Sequence, residues 1–281
     1  MNFNPVIHDI EKTDPDFPPG MLPLAFKSKS SKLLATLFQA NGAGPHKTVL
    51  LLHGFPGNEV NFDIAHVLRR AGYNIFVFHY RGMWGSEGTF GWKNSVEDVE
   101  SAVKFLEELS QTESYRVRAD EFIIVGHSMG GFAGLMNAYQ NTKVKKAAFL
   151  AGFNFGLFAE MIKQNDMLKN ISIERMKPNI KFINGADADD LLNEMIENSR
   201  EFNLLNYSDS LSKKKILMIG AKYDQLAMTE IHHTPLKNIL EQRSKENLTE
   251  SIFESGHSFS DKRILLSQKI INWLKKVDVD Y

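Results

Sequence analysis

The chain has 281 residues, 43% hydrophobic and 24% charged, with a formal net charge of −1. That balance offers no broad basic surface to nucleic acid or an anionic membrane, and the length suits one globular unit with an insertion. With no cysteine, disulfides and a thiol nucleophile are excluded and the commonest soft metal ligands are absent.

The first residues carry neither a basic start nor a long apolar core, and no run approaches the length of a membrane span, so the cytoplasm is the default expectation. Residues 1–21 are punctuated by proline and read as a loose lead-in. Residues 22–26 and 32–39 alternate in polarity and predict two antiparallel strands around Lys27-Ser28-Lys29-Ser30. Thr48-Val49-Leu50-Leu51-Leu52-His53 is the near-continuous apolar run of a parallel strand covered on both faces, and it ends in Gly54-Phe55-Pro56-Gly57. A helix at 61–71, a strand at 74–80 and a helix at 94–110 follow. Trp84 and Trp92, in the connection after Tyr80, are candidates to border a substrate cleft.

Phe122-Ile123-Ile124-Val125 then runs into Gly126-His127-Ser128-Met129-Gly130 and a helix at 129–140. A serine on a sharp strand-to-helix turn, flanked by glycines that let the neighbouring chain pass close by, is what a nucleophile elbow requires. Ser128 is the candidate nucleophile, with His127 beside it as a candidate pocket residue. A strand is predicted at 146–150. The lysine runs Lys143-Val144-Lys145-Lys146 and Lys213-Lys214-Lys215 read as solvated loop ends.

Residues 153–208 carry helical periodicity and no convincing strand. An insertion at this point stands above the carboxyl ends of the strands, so it reads as a helical cap walling a pocket. Its methionines, Met161, Met167, Met176 and Met195, read mostly as packing between cap and core. Asp187-Ala188-Asp189-Asp190 lacks the glycine and distal glutamate of a calcium loop and suits a helix N-terminus ahead of Leu191-Leu192. No metal and no cofactor are expected.

A strand at 215–220 leads into Ala221-Lys222-Tyr223-Asp224, a helix at 229–242 follows, and a strand at 249–253 leads into Glu254-Ser255-Gly256-His257 and a helix at 262–276. A serine needs a base and the base needs an orienting acid, in the chain order serine, acid, histidine for this kind of sheet. Asp224 and His257 fit that order at the ends of predicted strands. His232 and His233 fall on the predicted helix and read as solvated or capping residues. The backbone N–H groups of Phe55 and Met129 are the candidate oxyanion donors, since Pro56 has no N–H to offer. Alternating strands and helices imply an α/β core of residues 22–152 and 209–281, a mostly parallel sheet with helices on both faces, and a cap of residues 153–208.

Through His53-Gly54-Phe55-Pro56-Gly57, Gly126-His127-Ser128-Met129-Gly130-Gly131, Asp224 and His257, the chain resembles the α/β-hydrolase superfamily over nearly its whole length. Tyr80-Arg81-Gly82-Met83-Trp84-Gly85-Ser86-Glu87-Gly88 is similar to a segment of its esterase and acylaminoacyl-peptidase-like branches. The resemblance implies a serine hydrolase, first a carboxylesterase acting on a small ester, with a peptidase on acylated or free N-termini or a thioesterase as the alternative. A short acyl-peptide is therefore the other expected substrate, and the oligomeric state is left open. A hydrolase-fold binding protein would be expected to lack a member of the triad, and none is missing.

Overall fold

The computed structural model describes residues 3–279; Met1 and Asn2 of the predicted lead-in and residues 280–281 of the predicted core lie outside them. One sheet is built from β1 (Gly20–Ser28), β2 (Ser31–Gln39), β3 (His46–Leu52), β4 (Asn74–Phe78), β5 (Val117–His127), β6 (Val144–Leu150), β7 (Lys215–Ala221) and β8 (Leu248–Phe253). Their spatial order is β1-β2-β4-β3-β5-β6-β7-β8. The pairings β1 with β2 and β2 with β4 are antiparallel, and the pairings from β4 to β8 are parallel. The helices are α1 (Phe62–Arg70), α2 (Trp92–Leu109), α3 (Met129–Ala138), α4 (Phe155–Lys163), α5 (Asp166–Ile180), α6 (Ala188–Glu197), α7 (Ser208–Leu211), α8 (Thr229–His232), α9 (Thr234–Ser244) and α10 (Arg263–Val279).

Strand periodicity explains the apolar runs. Along β3, Leu50 and Leu52 share a core with Val99 and Leu106 of α2 and Phe132 of α3. Val49 and Leu51 point the other way, into a core with Ile64 and Leu68 of α1 and Ile270 and Leu274 of α10. Successive side chains leave opposite faces of a strand, so a strand covered by helices on both sides needs apolar residues at every position.

Four sequence readings need correction. The lead-in is pinned to the core: Arg116 donates from Nη1 to the carbonyls of Phe17 and Gly42 and from Nη2 to that of Pro18, and Arg70 Nε donates to Pro5 O. Lys146 is no solvated loop end. It lies fully buried inside β6 and pairs with Glu121, as a buried charge must. The helix expected over 229–242 is two, α8 and α9, because Pro235 at the start of α9 offers no N–H and crowds the preceding turn. His232 and His233 at that break are buried, not solvated.

Between β6 and β7 the chain makes α4, α5, α6 and the short α7, with no strand among the described residues. The acidic run opens α6 as a capping box, Asp187 accepting from the Asp190 N–H and Asp190 from the Asp187 N–H. Glu194, on the same helix, reaches across to the core and accepts from the N–H groups of Trp92 and Lys93 at 2.9 and 2.8 Å, so its carboxylate caps α2. Burial pushes this carboxyl up, against the pull of those two N–H groups. Trp92 returns the contact, donating from its ring nitrogen to Leu191 O at 2.8 Å. Glu194→Ala is expected to destabilise the protein by about 1–2 kcal/mol, because the first donors of α2 lose their partner. Urea unfolding of the two proteins checks this, and equal midpoints would count against the clamp.

Candidate active site

Four loops at the carboxyl ends of parallel strands converge on one point, where open α/β sheets place their ligands. They follow β3, β5, β7 and β8 and carry Phe55, Ser128, Asp224 and His257 respectively.

Ser128 has φ 55° and ψ −119°, a backbone conformation that side-chain-bearing residues rarely adopt. It is held there because its N–H donates to Leu150 O at 2.9 Å, while its carbonyl accepts from Gly131 N at 3.0 Å. The elbow also needs bare backbone. A Cβ on Gly126 would stand 2.2 Å from Gly130 O, and one on Gly130 would stand 2.4 Å from Leu52 O. The turn ends in α3, whose first N–H, that of Met129, has no carbonyl one turn back to bond. Neither this N–H nor that of Phe55 donates to another group among the described residues.

Asp224 accepts from the N–H groups of Leu226 and Ala227, both at 2.8 Å, through Oδ1. Its Oδ2 stands 2.7 Å from His257 Nδ1. Burial alone pushes the Asp224 carboxyl up, but the His257 hydrogen bond and charge and the two backbone donors outweigh it and hold the group below the usual carboxylate range. With Nδ1 donating to a carboxylate, a neutral His257 has a free Nε2 to accept a proton. His257 and Ser128 line the same cavity.

Two more histidines frame this arrangement from behind. His127 donates from Nε2 to the backbone carbonyl of His257 at 2.9 Å, which fixes the segment carrying the candidate base. His232 accepts the Asn154 N–H on Nδ1 at 3.1 Å, and its ring lies 3.9 Å from that of Phe153. Burial pulls each of these rings down to about 3, so both are neutral at physiological pH. The burial of His232 was not legible in sequence.

The cavity has a volume of about 180 Å³. Phe55, Trp92, Phe153, Phe155 and Phe158 form much of one wall, and α5 and α6 supply Leu168, Met176, Leu192 and Met195. Trp92 lines this cavity. Trp84 does not: it is partly exposed, stacks on Phe182 and donates to Pro56 O at 2.6 Å, bracing the Phe55 loop from outside. His127 does not line the cavity either, being buried behind His257. Met176 and Met195 line the cavity, whereas Met161 on α4 and Met167 on α5 are exposed. Sequence reasoning passed over Phe153, Phe155 and Phe158. Three phenylalanines within six positions just after β6 were the available signal.

A family model described as the alpha/beta hydrolase family matches residues 49–215. The chain is an alpha/beta hydrolase. The hydrolase is 29% identical over 85 residues to the uncharacterized protein YfhR of Salmonella typhimurium, covering 30% of this chain and 27% of that one. It is 25% identical over 144 residues to the protein of that name in Escherichia coli O157:H7, covering 50% of this chain and 49% of the other. The chain thus spans at most about half the length of these curated relatives. Among solved structures, the hydrolase is similar to an acylaminoacyl peptidase of Pyrococcus horikoshii, with TM-score 0.68, 17% identity, and 94% of this chain but 42% of that one covered. An esterase of Pyrococcus furiosus has TM-score 0.65, 18% identity, and 93% and 92% covered. A carboxyl esterase of Bacillus coagulans has TM-score 0.66, 14% identity, and 92% and 98% covered. At such identities the likeness speaks to the fold alone. No helix among the described residues is long and apolar enough to cross a membrane.

Proposed function

We propose that the protein is a serine hydrolase that cleaves a small carboxylic ester through an acyl-enzyme. The observation that carries this reading is the strained Ser128 at the mouth of an apolar cavity, sharing it with a His257 whose Nδ1 is 2.7 Å from Asp224. His257 takes the Ser128 proton as the hydroxyl attacks the carbonyl carbon, and the N–H groups of Phe55 and Met129 receive the charge that develops on the carbonyl oxygen. The protonated His257, held by Asp224, then gives its proton to the leaving alcohol. Water repeats the sequence on the acyl-enzyme and frees the acid. Each oxyanion donor contributes about 3 kcal/mol in comparable sites. The helices between β6 and β7 act as the cap that excludes water from this chemistry.

The ester reading is favoured over an aminopeptidase by the lining of the cavity, which contains no carboxylate among the described residues to hold a substrate ammonium. The cap glutamates are engaged elsewhere: Glu160 with Lys163, Glu194 at the start of α2, Glu197 with Arg81 and Glu201 with Lys93. A fluorophosphonate is expected to label Ser128, and a short-chain p-nitrophenyl ester is expected to turn over far faster than a matched acyl-aminoacyl p-nitroanilide. Comparable cleavage of the anilide would move the assignment to a peptidase, and neither labelling nor turnover would leave a hydrolase-fold binding protein.

A further inference from the structure

Apart from His257, Arg175 is the only ionisable side chain that lines the cavity among the described residues. It sits on α5 between Ser172 and Asn179, at offsets that place the three polar groups on one side of the helix, facing the cavity. No described carboxylate pairs with it, since its neighbour Glu174 is engaged by Lys177. Among the described residues its guanidinium makes one hydrogen bond, from Nη1 to the backbone carbonyl of Gln225 at 3.1 Å. Gln225 follows Asp224, so the guanidinium stands at the rim of the cavity, beside the loop that carries the candidate acid, with most of its donors unused among the described residues.

We infer that the substrate carries an anionic group, a carboxylate or a phosphate, which Arg175 receives while an apolar acyl chain lies against Phe153, Phe155 and Phe158. This rests on the serine-hydrolase reading and narrows its substrate class. A guanidinium presents several N–H donors in a fixed fork that matches a carboxylate or phosphate, and charge-assisted hydrogen bonds of this kind are the strong ones. The guanidinium is solvent-exposed at the rim, so water and salt screen its charge and the fork geometry carries the selectivity. The same charge disfavours an ammonium at that position, so the residue discriminates by repulsion as well as by attraction.

Binding can be read without turnover in the full chain carrying Ser128→Ala. Calorimetry would compare the monoethyl ester of suberic acid, its diethyl ester, an ester of equal length ending in a phosphate, and the ethyl ester of an ω-amino acid of equal length. The two anionic esters are expected to bind about tenfold more tightly than the diethyl ester, a preference that weakens with added salt. The stronger of the two identifies the anion. Arg175→Gln is expected to erase the ratio between anionic and neutral esters, and Arg175→Glu to shift the preference to the ammonium ester. An equal loss of affinity for all four ligands in Arg175→Gln would reduce the residue to a strut against Gln225 and overturn the inference, as would the absence of any preference in the protein with Arg175 intact. Turnover of the diethyl ester by the unsubstituted protein is measured separately: its absence counts against the hydrolase reading and leaves the binding comparison standing.

Discussion

Ser128→Ala is expected to lower kcat for a p-nitrophenyl ester by roughly 10⁴- to 10⁶-fold, the range seen when the nucleophile of such a triad is removed. Stability should change little, because alanine keeps the Cβ that already tolerates φ 55° at this turn and loses only a hydroxyl. Asp224→Asn is expected to cost about 10⁴-fold, since an amide in place of Oδ2 favours the wrong tautomer of His257. Combining the two should cost scarcely more than Ser128→Ala alone, because a triad acts as a unit. Steady-state kinetics with active-site titration would test this. A Ser128→Ala protein retaining more than about a tenth of the activity would sink the proposed mechanism, because a group contributing less than tenfold is not the nucleophile.

Acid should unfold this protein well before its carboxylates are neutralised. His53, His127 and His232 are buried, and burial lowers each ring from its ordinary value of 6.5 to about 3. Between those values the unfolded chain binds protons that the folded chain refuses, so stability rises with pH and is lost as pH falls below 6.5. Each ring contributes roughly 1.4 kcal/mol per pH unit in that window, about 4 kcal/mol per unit for the three together, against a total stability of about 5–15 kcal/mol. Asp224, held below its ordinary value, adds to the loss at lower pH as it becomes protonated. Asp98 and Glu194, whose carboxyls burial pushes up, work in the opposite sense, and two groups do not offset three. Urea unfolding at about pH 7 and about pH 5 should differ by several kcal/mol. Equal stability at the two pH values would mean that these rings are not buried and neutral.

The histidines also mark where sequence reading ends. Local pattern places His232 on a helix and His257 after a strand, but it does not show that His232 is buried. Chain order and the preceding strand single out His257 and Asp224. The inward turn of His232 onto Phe153 depends on Asn154, 78 positions away, supplying the N–H that its Nδ1 accepts. Lys146 illustrates the same limit, because its burial depends on Glu121 of the neighbouring strand. The lead-in does too, since its anchor is the guanidinium of Arg116, about a hundred positions downstream.

The sequence by itself determined the layered α/β core, the sharp turn at Ser128, the order of the three candidate catalytic residues and the helical stretch between the sixth and seventh strands. These are local matters: alternation sets strand faces, glycine permits close backbone approach, and a strand leading into a helix defines a sharp turn. Only the tertiary structure decided which residues line the cavity. Trp84 and Trp92 are eight positions apart, and only Trp92, at the start of α2, lines the cavity, because Glu194 and Leu191 of α6 hold it there while Phe182 and Pro56 keep Trp84 outside. Arg175 likewise acquires its position from the Gln225 carbonyl, fifty residues later. Such contacts join segments with no shared local pattern, so they exist only once the helices between β6 and β7 have packed over the carboxyl ends of the strands.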